Sequence, residues 1–222
     1  MLNANEPAAR RSDPPTRPLV AIVPVGTLAG AKSRLGAVLD AEEREELALR
    51  LARTTIEAVV AARRIDETLV VTPDDTVRAL AESLGARPIR QRSSGLNRGI
   101  DAGRDEAVAA GAAAILILPI DLPDVTPDAI DAVAGVLDGT RRPLVGIVPD
   151  RHGRGTNALL IAPPDAIEPC FGGDSRAAHV AAAEAAGAEL VVLDGPLTVD
   201  LDTPDDLLHA EATLRLPSEP VR

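Results

Sequence analysis

The chain has 222 residues, a length that favours one large α/β domain over two cramped ones. Its formal net charge of −11 argues against nucleic acid or an anionic membrane as a partner, because both would be repelled at long range. A lone cysteine, Cys170, excludes a disulfide framework and a cysteine-rich metal site.

Residues 1–18 hold three Arg, four Pro and no apolar run. They predict a disordered tail, neither signal peptide nor membrane anchor. No segment approaches ~20 uninterrupted apolar residues, so no transmembrane helix is expected and the cytoplasm is the expected compartment. From Leu19 onward apolar runs alternate with helical patterns. Residues 19–25 (LVAIVPV) predict a buried strand, followed by a Gly/Lys/Arg loop through Leu35. Asp40 can cap a long helix over 41–63, with Leu47, Leu51, Thr55 and Val59 on one face. A strand at 68–72, a helix at 74–84 ended by Gly85, and a short strand at 87–90 come next. The loop 91–95 leads into a helix at 97–110.

Residues 113–118 (AAILIL) are apolar at every position and predict the central strand, buried on both faces. A helix at 127–137 follows. Strands at 143–149 and 157–162 then flank the loop 150–156, an antiparallel excursion in the βα rhythm. A helix at 176–186, strands at 190–193 and 197–201, and a last helix at 204–214 complete the pattern. The tail 216–222 reads as disordered. This is an α/β chain with one domain, 19–215: a Rossmann-like, mixed but mostly parallel sheet with helices on both faces and ligands outside the carboxyl ends of its strands. Phe171 is the one aromatic residue, so the core must be filled by closely packed Ala, Val, Leu and Ile. Thr72-Pro73-Asp74, Thr126-Pro127-Asp128 and Thr203-Pro204-Asp205 repeat one helix-start pattern. Thr stands at N-cap, Pro at N1 and Asp in the first turn, so these aspartates are read as structural.

Four places could carry chemistry. In the loop after the first strand, Gly26 and Gly30 let a ligand approach the backbone, while Lys32 and Arg34 bring positive charge. The order of residues is neither a P-loop nor GxGxxG, and an ordinary solvated βα loop is an equal reading. Asp121, between Pro119 and Pro123, emerges at the end of the central strand as a hard-oxygen ligand suited to Mg²⁺; the alternative is a turn aspartate. Strand alternation over 198–202 would put Asp200 and Asp202 on one face, with Val199 and Leu201 toward the core. Asp200 could then share a metal with Asp121, while Asp202 competes as a brace for the helix at Thr203.

The fourth place combines 150–157 with 171–176. Gly172, Gly173 and Ser175 open a helix whose free N–H groups and dipole suit an anion, though Ser175 could simply be its N-cap. Arg176 and His179 would add positive character, and Gly155 and Thr156 would complete a pocket for a small phosphate. Cys170 has no base partner and is not read as a nucleophile. His152 and His209 are read as surface or helix residues.

Together, Ala31-Lys32-Ser33-Arg34-Leu35, Gly95-Leu96-Asn97, Pro119-Ile120-Asp121-Leu122-Pro123, the segment 150–157, Phe171-Gly172-Gly173-Asp174-Ser175 with His179, and Asp200-Leu201-Asp202-Thr203-Pro204 resemble the CofC/FbiD family. The resemblance runs from about Val20 to Leu214. It implies a MobA-like nucleotidyltransferase fold and transfer of GMP from GTP to phosphoenolpyruvate in coenzyme F(420) biosynthesis, with 2-phospho-L-lactate or 3-phosphoglycerate as alternative acceptors. It further implies Mg²⁺ at Asp121 and Asp200 and acceptor contacts at Thr156, Gly172 and Ser175. The residues themselves add expected nucleotide contacts at Gly26, Lys32, Arg34, Gly95 and Asn97, catalytic roles for Lys32, Arg34 and Asp121, and a further acceptor contact at Arg176. The expected partners are thus GTP and a small phosphorylated acid, with a homodimer open as an assembly. Gly26 departs from the family pattern, where many relatives carry Lys after Pro-Val. A nucleotide-sugar glycosyltransferase is the rival enzyme, because Asp200-Leu201-Asp202 spells DxD, and a non-catalytic nucleotide-binding subunit is the rival without turnover.

Overall fold

The computed structural model describes residues 18–140 and 143–208. The expected tails, except Pro18, and the end of the last helix lie outside the described residues. Strands β1 (Leu19–Pro24), β2 (Glu67–Thr72), β3 (Arg87–Arg90), β4 (Ala114–Ile117), β5 (Leu144–Pro149), β6 (Thr156–Ala162) and β7 (Glu189–Val192) form one sheet. Their spatial order is β3-β2-β1-β4-β6-β5-β7. Strand β6 runs antiparallel to β4 and β5, and every other neighbouring pair is parallel. The helices are α1 (Ala41–Ala61), α2 (Asp75–Ser83), α3 (Leu96–Ala109), α4 (Pro127–Ala134) and α5 (Ser175–Ala185).

Strands β1 and β4 are buried along their whole length, as their unbroken apolar runs require when both faces are covered. Alternate residues feed two cores. Ala21, Val23 and Leu116 face one with Ile56 and Val59 of α1, Val77 of α2 and Ile130 of α4. Val20, Ile22 and Ile115 face the other, with Ile100 of α3 and Ala183 of α5. Gly103 lets α3 lie close on the sheet: a Cβ there would meet Ile22 Cγ2 at 2.6 Å. A capping box fixes the start of α1, with Asp40 accepting from the Glu43 amide at 2.9 Å and Glu43 accepting from the Asp40 amide at 2.7 Å.

Three local readings change. The N-cap of α2 is Asp74, whose carboxylate accepts from Thr76 and Val77, and Thr72 ends β2 instead. Residues 197–201 are not a strand. Gly195, at φ 147, and Pro196 open a 3-10 turn over Pro196–Thr198, and the next residues find no strand to pair with among the described residues. The helix beginning at Pro127 closes at Ala134 and tightens into a 3-10 turn over Gly135–Leu137.

The topology decides where a ligand can bind. Strands β1 and β4 are neighbours, but the chain leaves β1 toward β2 and leaves β4 toward β5 on the other side, so a crevice opens at their carboxyl ends. Reversed β6 brings its amino end, Thr156, to that same edge. A register shift at Val148/Pro149 bends the ladder just there, as bulges beside sites commonly do.

Candidate active site

The acidic corner of the crevice is built by one backbone bond. Leu201 donates its N–H to the Asp121 carbonyl at 2.8 Å, which brings Asp200 and Asp202 beside Asp121 at the end of β4. Leu201 itself is buried with Leu35, Leu47, Leu51 and Leu207, so the loop after β1, the first half of α1 and the 200s segment pack as one unit. Lys32 adopts a left-handed backbone (φ 50), which costs a non-glycine residue on the order of 1 kcal/mol. That turn aims its ammonium inward. Nζ donates to the Leu201 carbonyl at 2.6 Å and lies 3.4 Å from Asp202 Oδ1 and 3.9 Å from Asp121 Oδ2, with the side chain 10% exposed. Arg34 remains 73% exposed and reaches Asp202 at 2.8 Å.

This corner holds more negative charge than its cations offset. Burial, and then repulsion from Asp121 and Asp202, pushes the Asp200 carboxyl above its ordinary range. Burial also raises Asp121; Lys32 opposes that shift and Asp202 adds to it. Asp200 Oδ1 is buried with no hydrogen-bond partner among the described residues. An orphaned, charge-stressed oxygen beside a second carboxylate is a donor set for a hard divalent cation. Among the described residues no group of three or more His, Cys, Asp or Glu forms a closed metal cage. Two carboxylates suit a magnesium ion that completes its shell with water and substrate phosphate.

The other end of the same cleft, about 700 Å³ in volume, is formed by the β5–β6 turn and the start of α5. Ser175 is the first residue of α5, and the N-cap is Asp174, whose side chain makes no cap hydrogen bond. The capping alternative for Ser175 is therefore replaced. Asp174 is instead occupied by Arg154, whose Nη2 reaches it at 2.8 Å. Gly172 and Gly173 are exposed, and a Cβ on either would meet nothing within 4 Å, so their backbone faces open space. Thr156 and Ser175 are buried side chains on the cleft wall.

Two expectations for this end are corrected. His179 brings no positive charge: it is fully buried, and burial pushes its pKa down to about 4. Arg176 does not line the cleft; its Nη1 donates to the Gly153 carbonyl at 3.1 Å and fastens the β5–β6 turn to α5.

A second hollow of about 460 Å³ adjoins the first across Leu96 and is walled by Pro24, Gly26, Pro73, Ser94 and Gly95. Gly95, at φ 104, forms the turn into α3 that only glycine adopts without strain. Asn97 does not face this hollow as a reader of a base. Its carboxamide accepts from the Phe171 N–H at 2.8 Å and donates to the Phe171 carbonyl at 3.0 Å, which occupies both its groups. Of the expected site residues, then, Arg34, Asp121, Asp200, Thr156, Gly172 and Ser175 share the larger cleft. Lys32 sits behind its acidic end, and Gly26 and Gly95 line the smaller hollow. The sequence reading missed Arg151 and Arg154 as cleft walls, although both stand in the quoted 150–157 segment. It also missed Asn157, which ties β6 to the Leu197 carbonyl at 3.0 Å.

The model of the CofC-like guanylyl transferases matches residues 19–213. The chain belongs to this family. The phosphoenolpyruvate guanylyltransferase of Sphaerobacter thermophilus is 44% identical to this CofC-like chain over 189 residues, covering 85% of it and 90% of the relative. The enzyme of the same name from Rubrobacter xylanophilus is 43% identical over 196 residues, covering 87% and 93%. Among solved structures, a nucleotidyl transferase from Methanothermobacter superposes with a TM-score of 0.64 at 21% identity, covering 89% of this chain and 97% of that one. A Desulfovibrio desulfuricans chain named for nucleotide-diphospho-sugar transfer superposes with a TM-score of 0.71 at 16% identity, covering 90% and 89%. Both structural likenesses concern the fold. The CofC-like chain is a transferase of the nucleotidyltransferase class, and no helix among its described residues is long and apolar enough to cross a membrane.

Proposed function

We propose that this enzyme transfers the guanylyl group of GTP to phosphoenolpyruvate, releasing pyrophosphate, as a magnesium-dependent cytoplasmic step of coenzyme F(420) biosynthesis. The observation that carries the reading is the juxtaposition in one cleft of an incompletely neutralised carboxylate pair, Asp121 and Asp200, with a helix start that no side chain caps, at Gly172 to Ser175. One end suits a metal-bound polyphosphate and the other a second anion. The names of the relatives support the acceptor.

In this reading the nucleoside lies in the hollow of Gly26 and Gly95, and the triphosphate passes Leu96 toward the acidic corner. Asp121 and Asp200 would hold Mg²⁺, which when bound supplies charge neutralisation at the α-phosphate. Thr156, the Gly172–Gly173 backbone and Ser175 hold the phosphorylated acid. Its phosphate oxygen attacks the α-phosphorus in line and pyrophosphate leaves, so one P–O bond forms as another breaks. No general base is required, because the attacking oxygen is already anionic at neutral pH. Two unit charges ~4 Å apart repel by about 4 kcal/mol at an effective dielectric near 20. Lys32, Arg34 and the α5 dipole work against that repulsion, so the protein's contribution is positioning and neutralisation.

A grid of four nucleoside triphosphates against phosphoenolpyruvate, 2-phospho-L-lactate and 3-phosphoglycerate tests the assignment by pyrophosphate release and product mass. GTP with phosphoenolpyruvate is the expected best pair. A clear preference for another acid or base would overturn that part of the reading.

A further inference from the structure

His179 makes two hydrogen bonds that together fix where its proton lies. Its Nε2 is 2.9 Å from the backbone nitrogen of Cys170, and its Nδ1 is 3.0 Å from Thr156 Oγ1. A backbone amide can only donate, so Nε2 must present a lone pair. That excludes the imidazolium and the Nε2–H tautomer. The neutral ring then carries its hydrogen on Nδ1, and Nδ1–H donates to Thr156 Oγ1. Burial of the ring, which pushes its pKa down to about 4, keeps it in this form at neutral pH. The Phe171 ring meets the imidazole edge-on, with centroids 5.3 Å apart, and closes it against the core.

We infer that His179 is a positioning residue that makes the Thr156 hydroxyl a hydrogen-bond donor toward the cleft. A hydroxyl has one hydrogen and two acceptor lone pairs. With one lone pair turned toward Nδ1–H, the Thr156 hydrogen has no call to point at the ring and is directed at the cleft wall's open side. An anionic oxygen placed there receives a charge-assisted bond, whereas a wrongly turned hydroxyl would present a lone pair to it. The same ring grips the Cys170 amide and so fixes the residue before Phe171, which leads into Gly172 and Gly173. One buried side chain thereby sets both the polarity of Thr156 and the entry to the acceptor loop.

This inference rests on the reading that Thr156 contacts the phosphorylated acid, and its test separates the two. Long-range ¹H–¹⁵N correlation spectra of the unliganded wild-type protein at neutral pH should show His179 with Nε2 unprotonated and Nδ1 protonated, identified by the signal missing in His179→Asn. An Nε2–H tautomer or an imidazolium would overturn the inference without any variant needing to fold. In steady-state kinetics, Thr156→Val and His179→Gln should each raise the acceptor KM by about tenfold, with the GTP KM within about twofold. The double variant should be no worse than either single one. His179→Asn, whose carboxamide can still donate to Thr156, should recover part of the loss, which a packing role alone would not yield. If Thr156→Val raises the acceptor KM and His179→Gln does not, the role of His179 falls and the site stands. If neither moves it, both fall.

Discussion

Asn97 and Phe171 are joined as one strand residue joins another: the carboxamide of Asn97 pairs with the amide and the carbonyl of Phe171 at 2.8 and 3.0 Å. The helix start that borders the smaller hollow and the loop that borders the glycine end of the larger cleft are thus a single mechanical piece. Asn97→Asp keeps the acceptor oxygen and loses the N–H donor. It should raise the acceptor KM several-fold and lower unfolding stability by about 1 kcal/mol. Kinetics with GTP saturating, together with urea unfolding, checks this. An effect confined to the GTP KM would argue that Asn97 reads the nucleotide after all.

Asp200 should trade activity against stability. Its carboxyl is raised by burial and by its acidic neighbours, so its charge strains the free protein. Asp200→Asn removes that charge. Pyrophosphate release should fall by about 100-fold or more. Thermal unfolding without metal or nucleotide should occur at an equal or higher temperature than wild type. Near-wild-type turnover would remove Asp200 from the metal pair.

Acid should destabilise the protein partly through His179. The unfolded ring takes a proton near pH 6.5 but the native ring only near 4, so between those values unfolding binds a proton. Stability from this residue is therefore complete above 6.5 and is lost as the pH falls toward 4, on the order of 3 kcal/mol in all. Urea titrations of wild type and His179→Asn across that window should show their stability difference shrinking as the pH falls. A difference independent of pH would mean that the native ring already carries a proton.

Gly103 should not tolerate a methyl group. A Cβ there would overlap Ile22 Cγ2 at 2.6 Å and touch Val71 Cγ2 at 3.0 Å, both side chains being locked in the core. Gly103→Ala should cost about 1–3 kcal/mol by urea unfolding, since α3 must lift from the sheet. An unchanged midpoint would show that the core at this point has slack.

Gly26 is open space rather than a requirement. A Cβ there meets nothing within 4 Å, and its backbone is not among the left-handed glycines. Gly26→Lys should fold normally and, with a cation added beside the nucleoside hollow, lower the GTP KM by about fivefold. Added salt should erase the gain, and a KM unchanged at low salt would argue against any nucleotide phosphate within reach of position 26.

How much of this was legible in the chain depends on the distance over which each feature is determined. The run 113–118 shows β4, and with it the emergence of Asp121, because burial on both faces leaves no polar residue in the strand. Strands β5 and β6 are legible for the same reason, and their short turn forces the antiparallel pairing. The 197–201 segment misleads because its alternation imitates a strand. What orders Leu201 is one bond to Asp121 and a pocket of leucines from three other segments. Asn97 and His179 carry no local mark of their roles, since Phe171 and Thr156, their partners, are remote along the chain. The cap at Asp174 was missed because two glycines precede it and Ser175 competes for the position by type alone.

Phe171 has a practical consequence. The chain contains no Trp, no Tyr, this single Phe and three His, so its aromatic proton spectrum is nearly empty. The one phenyl ring stands on the loop suspended between Asn97 and His179. In D₂O, without labelling or engineering, its resonances should report the addition of a small phosphorylated acid at that loop, read against the ring protons of three His alone.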